Sequence, residues 1–343
     1  MKKQTLYFTA PSSVKVREEP LAEPGPGQLL VRTLVSAISA GTELLIYRGQ
    51  APSGMIADDT ISSLKGTIGF PMRYGYAAVG EVVSAGLEVK GDWEGRRVFA
   101  FHPHESLFLT EPGEVYLLPP GIVPEEAVFF PNVETALTLV ADGSPAIGEQ
   151  VAVFGQGIVG LLVASLLARL PLSSLVTLDV HPLRRNTSLS VGAHVSLDPS
   201  APGVIEEAIS SLQGSCVYRG ADLTYEVSGN PDALDQAIAV MGYNGRVVIG
   251  SWYGLKPATL QLGSSFHRSR IRLISSQVSS IEPELRGRWN KERLQALAWH
   301  MVKELNPSRF ITHRFSLLEA ARAYQLLDRN AGETLQVVLT YPG

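Results

Sequence analysis

The sequence predicts an α/β protein of two domains, a strand-rich barrel-like domain followed by a doubly wound parallel sheet. Three observations predict it. Up to about residue 128 the chain is rich in turns and short alternating strands. From about residue 129 short apolar runs alternate with helical stretches. The chain has 343 residues and is 45% hydrophobic, which is enough for two cores of ordinary size.

Charge and cysteine content narrow the class of protein. The 29 basic and 33 acidic side chains give a net charge of −4 without long like-sign runs, so we expect neither a nucleic-acid partner nor an anionic membrane surface. The N-terminal segment lacks the apolar run of a secretory signal, and the most apolar stretch, 157–168, is too short to span a bilayer. A single cysteine, Cys216, excludes an intramolecular disulfide and a multi-cysteine zinc site. We therefore expect a cytoplasmic protein without membrane insertion.

The first domain is predicted from alternating runs bounded by turns. Strands are predicted at 29–39, 77–85 and 98–101, and the first follows the turn Pro24–Gly27. The Gly-, Ser- and Thr-rich segment 49–69 is predicted to be a long loop at the rim of a cleft.

The second domain is predicted from strand–helix alternation, which implies parallel strands with helices on both faces. The predicted strands are 151–155, 174–179, 194–197, 221–229, 245–250 and 271–276, with helices near 157–170, 183–191, 203–212 and 231–241. Helical stretches at 282–305 and 317–328 follow, and a final strand, TLQVVLTY, is predicted to return to the first domain.

A glycine motif carries the sharpest chemical signal. Gly155, Gly157 and Gly160 form G-x-G-x-x-G after a predicted strand and at the start of an apolar helix. The first glycine permits a tight turn, the second lets a pyrophosphate approach the backbone, and the third lets helix and strand pack closely. The helix N-terminus adds free N–H groups. We therefore predict a dinucleotide site formed by Gly155, Gln156, Gly157, Ile158, Val159 and Gly160.

An acidic residue supports this prediction and bears on the cofactor. Asp179 ends the second strand of the domain, where a carboxylate accepts hydrogen bonds from the adenine ribose. The same charge repels a 2′-phosphate, which favours NAD over NADP. Arg184 and Arg185 follow closely and leave NADP open, because they could equally be surface residues, stack on the adenine or clamp a phosphate.

Over nearly its whole length the chain resembles the medium-chain dehydrogenase/reductase family. The resemblance implies a GroES-like catalytic domain at 1–128, a Rossmann domain inserted at 129–280 and a C-terminal return at 281–343. It also implies a homodimer, because such nucleotide domains often pair through their last strand.

The resemblance fails at the metal positions. Zinc-dependent members have a C-G-T-D segment where this chain has Ala40-Gly41-Thr42-Glu43, and a G-H-E segment where it has Gly75-Tyr76-Ala77. The cysteine and histidine ligands are thus replaced by Ala40 and Tyr76, and the four-cysteine loop for a structural zinc is missing. The later ligand falls near Glu134. Since a catalytic zinc needs three protein ligands, we expect no zinc and a zinc-free branch of alcohol, threonine and sorbitol dehydrogenase-like proteins.

Since the metal ligands are replaced, hydroxyl groups are the candidates for contacting the substrate oxygen. Thr42 matches the family's threonine or serine that contacts the substrate oxygen, and Tyr76 occupies the vacated ligand position. Our hypothesis is that both donate hydrogen bonds to that oxygen in place of the Lewis acid. The alternative is that Tyr76 only fills the space left by the metal. Glu43 replaces a carboxylate that supports the metal ligands, and it is predicted either to anchor a neighbour or to act as an acid or base.

Further site residues are predicted from their positions. Gly250, Ser251 and Ser276 follow strands whose ends are expected beside the nicotinamide. His102 and His104, two residues apart on one predicted strand, should point the same way and could converge. Substrate-cleft candidates, each of which could instead be a core or loop residue, are His102, His104, Glu134, Trp252 and Tyr253.

Three alternative functions are compatible with these features of the sequence. The first is NAD(P)-dependent interconversion of a secondary alcohol and a ketone. The second is reduction of an enone or quinone, which needs less carbonyl activation. The third is dinucleotide binding without turnover.

Overall fold

The computed structural model describes residues 1–212 and 219–342, so Cys216 lies outside the described residues. The chain divides into two compact units. Unit 1 comprises Met1–Pro131 and the chain from Trp299 onward, and unit 2 comprises Asn132–Ala298. The sequence placed the boundaries after residues 128 and 280. Those domain boundaries stay a prediction. In the structure Ile281 and Leu285 line one apolar cavity with Leu137 and Val140, all within unit 2.

The helices and strands are numbered along the chain. They are β1 (Lys2–Ala10), β2 (Ser13–Pro20), β3 (Leu29–Ala37), α1 (Ala40–Tyr47), β4 (Ala78–Ala85), β5 (Arg97–Ala100), β6 (Leu107–Thr110), β7 (Val115–Leu117), α2 (Pro124–Ala127), α3 (Phe130–Gly143), β8 (Gln150–Phe154), α4 (Ile158–Leu167), β9 (Ser174–Leu178), α5 (Pro182–Ser190), β10 (Val195–Leu197), α6 (Val204–Ser211), β11 (Ala221–Glu226), α7 (Pro231–Ala239), β12 (Met241–Ile249), β13 (Arg272–Ser275), α8 (Lys291–Leu305), β14 (Ile311–Ser316), α9 (Ala320–Arg329) and β15 (Gln336–Thr340).

Unit 1 is built on a mixed sheet in the order β14-β15-β3-β4-β5-β7, with β6 also paired to β3. The C-terminal strand β15 runs antiparallel to β3, so the end of the chain lies inside this sheet, as the sequence predicts. Alternate residues of the strands, such as Leu29, Val31 and Val98, pack with Phe108 in the core. The hairpin of β1 and β2 and the helix α1 were not predicted.

Unit 2 holds a parallel sheet in the order β10-β9-β8-β11-β12-β13. This is the order of a doubly wound sheet, in which the chain starts at the centre and winds outward on both sides. The central strand β8 is buried from Val151 to Phe154, as expected for a strand covered on both faces. The predicted fold class is confirmed. No helix in the described parts of the chain is both long and apolar enough to cross a membrane.

One arginine joins three elements of unit 2. Arg246 of β12 donates to both carboxylate oxygens of Glu149 at 2.8 Å, just before β8. It also donates to the carbonyl oxygens of Gly143 at 2.6 Å and Ser144 at 2.9 Å, at the end of α3. The Arg246 side chain is 12% exposed, so solvent screens the pair little. These contacts hold the end of α3 against the edge from which β8 and β12 begin.

We predict that Arg246→Met lowers the free energy of unfolding by about 3 kcal/mol, because the carboxylate and carbonyl groups lose a largely buried partner. Urea denaturation of both proteins measures the difference. Arg96→Met is the matched control, since Arg96 is 56% exposed and lies 3.8 Å from Asp92. Its effect should stay within about 0.5 kcal/mol. Equal losses in the two variants would contradict the role assigned to Arg246.

Candidate functional site

The glycine turn of unit 2 joins β8 to α4 as predicted. Gly155 has φ +90°, and a Cβ there would lie 2.5 Å from the Cα of Ser228. A Cβ on Gly160 would lie 1.9 Å from the carbonyl oxygen of Gly155. Gly157, the residue before α4, differs, because its added Cβ would meet only Arg184 Nη1, at 3.9 Å. The fold therefore requires glycine at 155 and 160, whereas glycine at 157 leaves backbone open to a ligand.

The carboxylate of Asp179 lies beside this turn. Its Oδ2 accepts the Gln156 N–H at 2.7 Å, and its Oδ1 accepts the His181 N–H at 2.8 Å. Arg184 Nη1 lies 3.8 Å from the same carboxylate. Burial lowers the pKa of Arg184, and the Asp179 charge opposes that shift. An open glycine backbone, a helix N-terminus and a carboxylate at the end of the next strand fit a dinucleotide.

The other predicted cofactor residues are tied into the same unit. The Gln156 side chain is buried and donates to the Gly155 carbonyl at 2.9 Å. Ser251 Oγ accepts the Gly229 N–H at 2.8 Å, and Ser276 Oγ donates to Asp142 at 2.5 Å. The remaining three, the largely buried Ile158, the partly exposed Val159 and the partly exposed Gly250, also lie in unit 2.

Hydroxyl groups cluster in unit 1 where α1 begins. The Tyr76 phenol donates to Ser39 Oγ and lies 3.5 Å from Thr42 Oγ1. Tyr76 precedes β4, whereas Ser39 and Thr42 lie at the start of α1. Burial raises the pKa of Tyr76, and the hydrogen bonds of Ser39 and Thr42 oppose the shift. Tyr76 is therefore a neutral phenol at physiological pH, able to donate a proton.

A buried carboxylate lies behind this cluster. Glu43 is fully buried, and its Oε1 accepts the Ser39 N–H at 2.8 Å. Its Oε2 accepts the Tyr324 phenol and lies 3.1 Å from His104 Nε2. His104 Nδ1 in turn lies 2.7 Å from Ser36 Oγ. Both oxygens of Glu43 are thus engaged inside the protein.

The two histidines have different surroundings. His104 is fully buried in the network just described, and its ring packs where a Cβ on Gly75 would come within 2.8 Å. His102 lies outside any strand and stacks on Phe108 with ring centroids 3.9 Å apart. Burial lowers the pKa of His102 to about 4, so its ring is neutral at physiological pH.

The remaining cleft candidates differ in their surroundings. Glu134 is 3% exposed and lies 3.1 Å from Lys291 Nζ; burial raises the pKa of Glu134, and Lys291 opposes the shift. The Tyr253 phenol donates to Glu226 at 2.5 Å, and its ring packs on the core of unit 2. Trp252 is partly exposed.

The chain is similar to known dehydrogenases both in sequence and in fold. The profile of the family described as zinc-binding dehydrogenase matches residues 159–298. D-guloside 3-dehydrogenase of Escherichia coli K12 is 23% identical over 92% of this chain and 93% of its own. The 2-desacetyl-2-hydroxyethyl bacteriochlorophyllide A dehydrogenase of Rhodobacter capsulatus is 27% identical over 95% and 94%. A Sinorhizobium meliloti 1021 structure, described as a zinc-binding dehydrogenase bound to NADP, superposes with a TM-score of 0.76 at 21% identity, covering 99% of each chain.

Over nearly its whole length the chain is thus similar to dehydrogenases of the medium-chain dehydrogenase/reductase type, and residues 159–298 match the zinc-binding dehydrogenase family. A structure from Escherichia coli CFT073, described as a short chain alcohol dehydrogenase complexed with NADH, also superposes over 99% of each chain, with a TM-score of 0.78 at 17% identity.

The metal that this family often binds does not fit the residues present. In this chain the Tyr76 phenol is bonded to Ser39, and Ala40 has no ligating atom. The nearby Glu43 carboxylate is held by its own donors. Across residues 1–212 and 219–342, no three His, Cys, Asp or Glu side chains are grouped as a metal would require.

Sequence reasoning missed part of the unit 1 network. Ser39, Ser36 and Tyr324 were not predicted as site residues. Ser39 carries a readable signal, because a serine before an apolar run and an acidic residue four positions later is close to a helix-start pattern. Tyr324 carries none, since its partner Glu43 is 281 positions away.

We predict that Glu43→Ala lowers the free energy of unfolding by about 3 kcal/mol or more, because it leaves buried donors on Tyr324, His104 and Ser39 without an acceptor. Chemical denaturation followed by tryptophan fluorescence measures the loss. Glu81→Ala is the control, since the Glu81 side chain is 31% exposed and lies 3.4 Å from Arg32. That control should cost no more than about 1 kcal/mol. A Glu43 variant as stable as the control would show that the network contributes nothing.

Proposed function

We propose that this chain is a zinc-independent, NAD(P)-dependent oxidoreductase that interconverts a secondary alcohol and a ketone. The observation that carries the proposal is the hydroxyl cluster of Tyr76, Thr42 and Ser39, in which Tyr76 occupies the position of the histidine ligand in zinc-dependent members. The names of the similar proteins, which are dehydrogenases of alcohols, support the reaction class.

The cofactor would be held by the glycine turn of unit 2. Backbone N–H groups at Gly157 and the start of α4 would bind the diphosphate, and Asp179 would bind the adenine ribose. Once bound, the nicotinamide supplies or accepts the hydride. We favour NAD, because the Asp179 carboxylate would repel a 2′-phosphate. Arg184 keeps NADP as the alternative, since its guanidinium lies 3.8 Å from that carboxylate.

The hydroxyl cluster would replace the Lewis acid. Charge develops on the substrate oxygen during hydride transfer, and each aligned donor can stabilise it by roughly 3 kcal/mol. Tyr76 and Thr42 are the two donors, since both are partly exposed and their oxygens lie 3.5 Å apart, with Thr42 at the start of α1 and Tyr76 before β4. Glu43 holds the backbone of Ser39 and is a positioning residue, because both its oxygens are engaged within the protein.

A panel assay tests this function. NADH and NADPH consumption is followed with secondary ketones, enones and quinones side by side, and NAD reduction with the matching alcohols. Turnover of ketones and alcohols is the expected result. Preferential turnover of enones or quinones would replace the proposal with the second candidate, which the replacement of the metal ligands by Ala40 and Tyr76 favours because these substrates need less carbonyl activation. Cofactor binding with no turnover would indicate a non-catalytic dinucleotide-binding protein.

The assembly and location of the enzyme also remain proposals. We propose a cytoplasmic homodimer that pairs through β13, the strand at one edge of the parallel sheet of unit 2. Light scattering of the purified protein measures the assembly.

We predict that Tyr76→Phe lowers kcat for ketone reduction at least about tenfold, because one donor to the substrate oxygen is lost. The dissociation constant of the cofactor should not change. The donor works only while protonated, so activity is present below the pKa of Tyr76 and lost above it. Since burial raises that pKa above 10, the wild-type rate should hold up to pH 10 and fall only beyond it.

Tyr74→Phe is the matched control for this variant. Tyr74 is a buried neighbour whose ring centroid lies 6.3 Å from that of Tyr76, and it is outside the hydroxyl cluster. Its variant should retain wild-type kcat. Wild-type turnover in Tyr76→Phe would mean that Tyr76 only fills space.

We predict that Gly157→Ala weakens NADH binding at least about tenfold, which corresponds to 1.4 kcal/mol, because a methyl group would occupy the face offered to the diphosphate. Its melting temperature should not change, since the added Cβ would meet only Arg184 Nη1, at 3.9 Å. Gly287→Ala, where nothing lies within 4 Å of the added Cβ, is the control. Fluorescence titration of NADH measures binding, and unchanged affinity in Gly157→Ala would contradict the site.

A further inference from the structure

Ser39 occupies the capping position before α1 but does not cap it. A serine there usually accepts a backbone N–H of the first helical turn through its hydroxyl. Here the Ser39 side chain makes no capping hydrogen bond, and its Oγ accepts the Tyr76 phenol instead. Glu43 Oε1 binds the Ser39 N–H at 2.8 Å, which fixes the backbone at this point. The Ser39 hydroxyl is therefore hydrogen-bonded to Tyr76 and not to the backbone of α1.

The hydrogen bond between Ser39 and Tyr76 bears on how Tyr76 is reprotonated. A phenol carries one proton, so a Tyr76 that gives it to a substrate oxygen must be reprotonated before the next turnover. Its polar neighbours are Ser39, at hydrogen-bond distance, and Thr42, at the outer limit of 3.5 Å. A serine hydroxyl can donate one hydrogen bond and accept two, so Ser39 can bond to Tyr76 and to water together.

The surroundings of Ser39 indicate where the proton goes. Ser39 is partly exposed, whereas Glu43 behind it is fully buried. Ser39 is linked to Glu43 through its N–H and not through its hydroxyl. The hydroxyl contact of Tyr76 thus continues to the partly exposed Ser39 and away from the buried carboxylate, which holds the Ser39 backbone in place.

We propose that Ser39 is a positioning residue that relays protons between Tyr76 and solvent, an inference that rests on the proposed function. In ketone reduction the Tyr76 O–H turns from Ser39 Oγ to the substrate oxygen. The carbonyl carbon gains the hydride, the O–H bond of Tyr76 breaks and an O–H bond forms at the substrate oxygen. The Ser39 O–H proton moves to the Tyr76 oxygen, and Ser39 takes one proton from water. Alcohol oxidation runs the same transfers in reverse and releases one proton to solvent.

The test compares Ser39→Thr with Ser39→Val, which have the same shape and differ in the hydroxyl. Each is assayed for kcat and KM in both directions, in H2O and D2O, across the pH range. We expect Ser39→Val to lower kcat at least about tenfold, with an increased solvent isotope effect, because proton transfer becomes slow. Ser39→Thr should stay within about threefold of wild type. Melting temperatures and NADH affinity should match in the two variants.

The outcomes distinguish failure of the relay from failure of the proposed function. If Tyr76→Phe is impaired but Ser39→Val keeps the wild-type kcat and isotope effect, the relay is wrong and the proposed function stands. If both Ser39 variants are slowed equally with unchanged isotope effects, Ser39 has only a structural role and the relay is overturned. If the wild-type chain turns over no ketone or alcohol, the proposed function fails and the relay fails with it.

Discussion

A buried negative charge must be matched by donors, and in unit 1 this requirement connects distant parts of the chain. Glu43 is fully buried and is reached by the Ser39 N–H, the Tyr324 phenol and the His104 ring. These partners come from the start of α1, from α9 and from the segment before β6. Leaving the charge unpaired would cost several kcal/mol, so the elements cannot separate independently. The same carboxylate fixes the backbone of the residue to which Tyr76 is bonded.

The fold could be predicted from sequence where local patterns determine it. The parallel strands of unit 2 are continuous apolar runs separated by helices, and the glycine turn depends on three glycines close together in the sequence. Both were therefore predicted, with small errors in the bounds of the strands. The β1–β2 hairpin and α1 were missed, because their polar residues pair with partners far along the chain, such as Lys3 with Glu105 at 2.6 Å. The helix α3 was missed as well, since Pro131 near its start resembles a break although proline is tolerated in a first turn.

The candidate site divides in the same way. Thr42, Tyr76 and Glu43 were predicted from the family resemblance, but the contacts that give them roles were not. Whether Glu43 anchors a neighbour or acts as an acid or base depends on which atoms its carboxylate contacts, and spacing along the chain does not show that. For His102 and His104 the two-residue spacing decides nothing, since it implies a shared direction only within a strand and His102 lies outside any strand. A pattern indicates chemistry, whereas tertiary contacts decide its use.

The strand order of unit 1 has a consequence for biosynthesis. The strand β15 lies between β14 and β3, yet it begins at Gln336, after the whole of unit 2 has been translated. On the ribosome, residues 35–37 of β3 therefore stay unpaired on that edge, where β6 covers only residues 29–32, while Asn132–Ala298, a contiguous stretch, can already fold on its own. Folding of unit 1 is completed when β15 inserts between β14 and β3. If translation stalls before β15 has been made, the nascent chain presents an unpaired strand edge to chaperones or to other polypeptides.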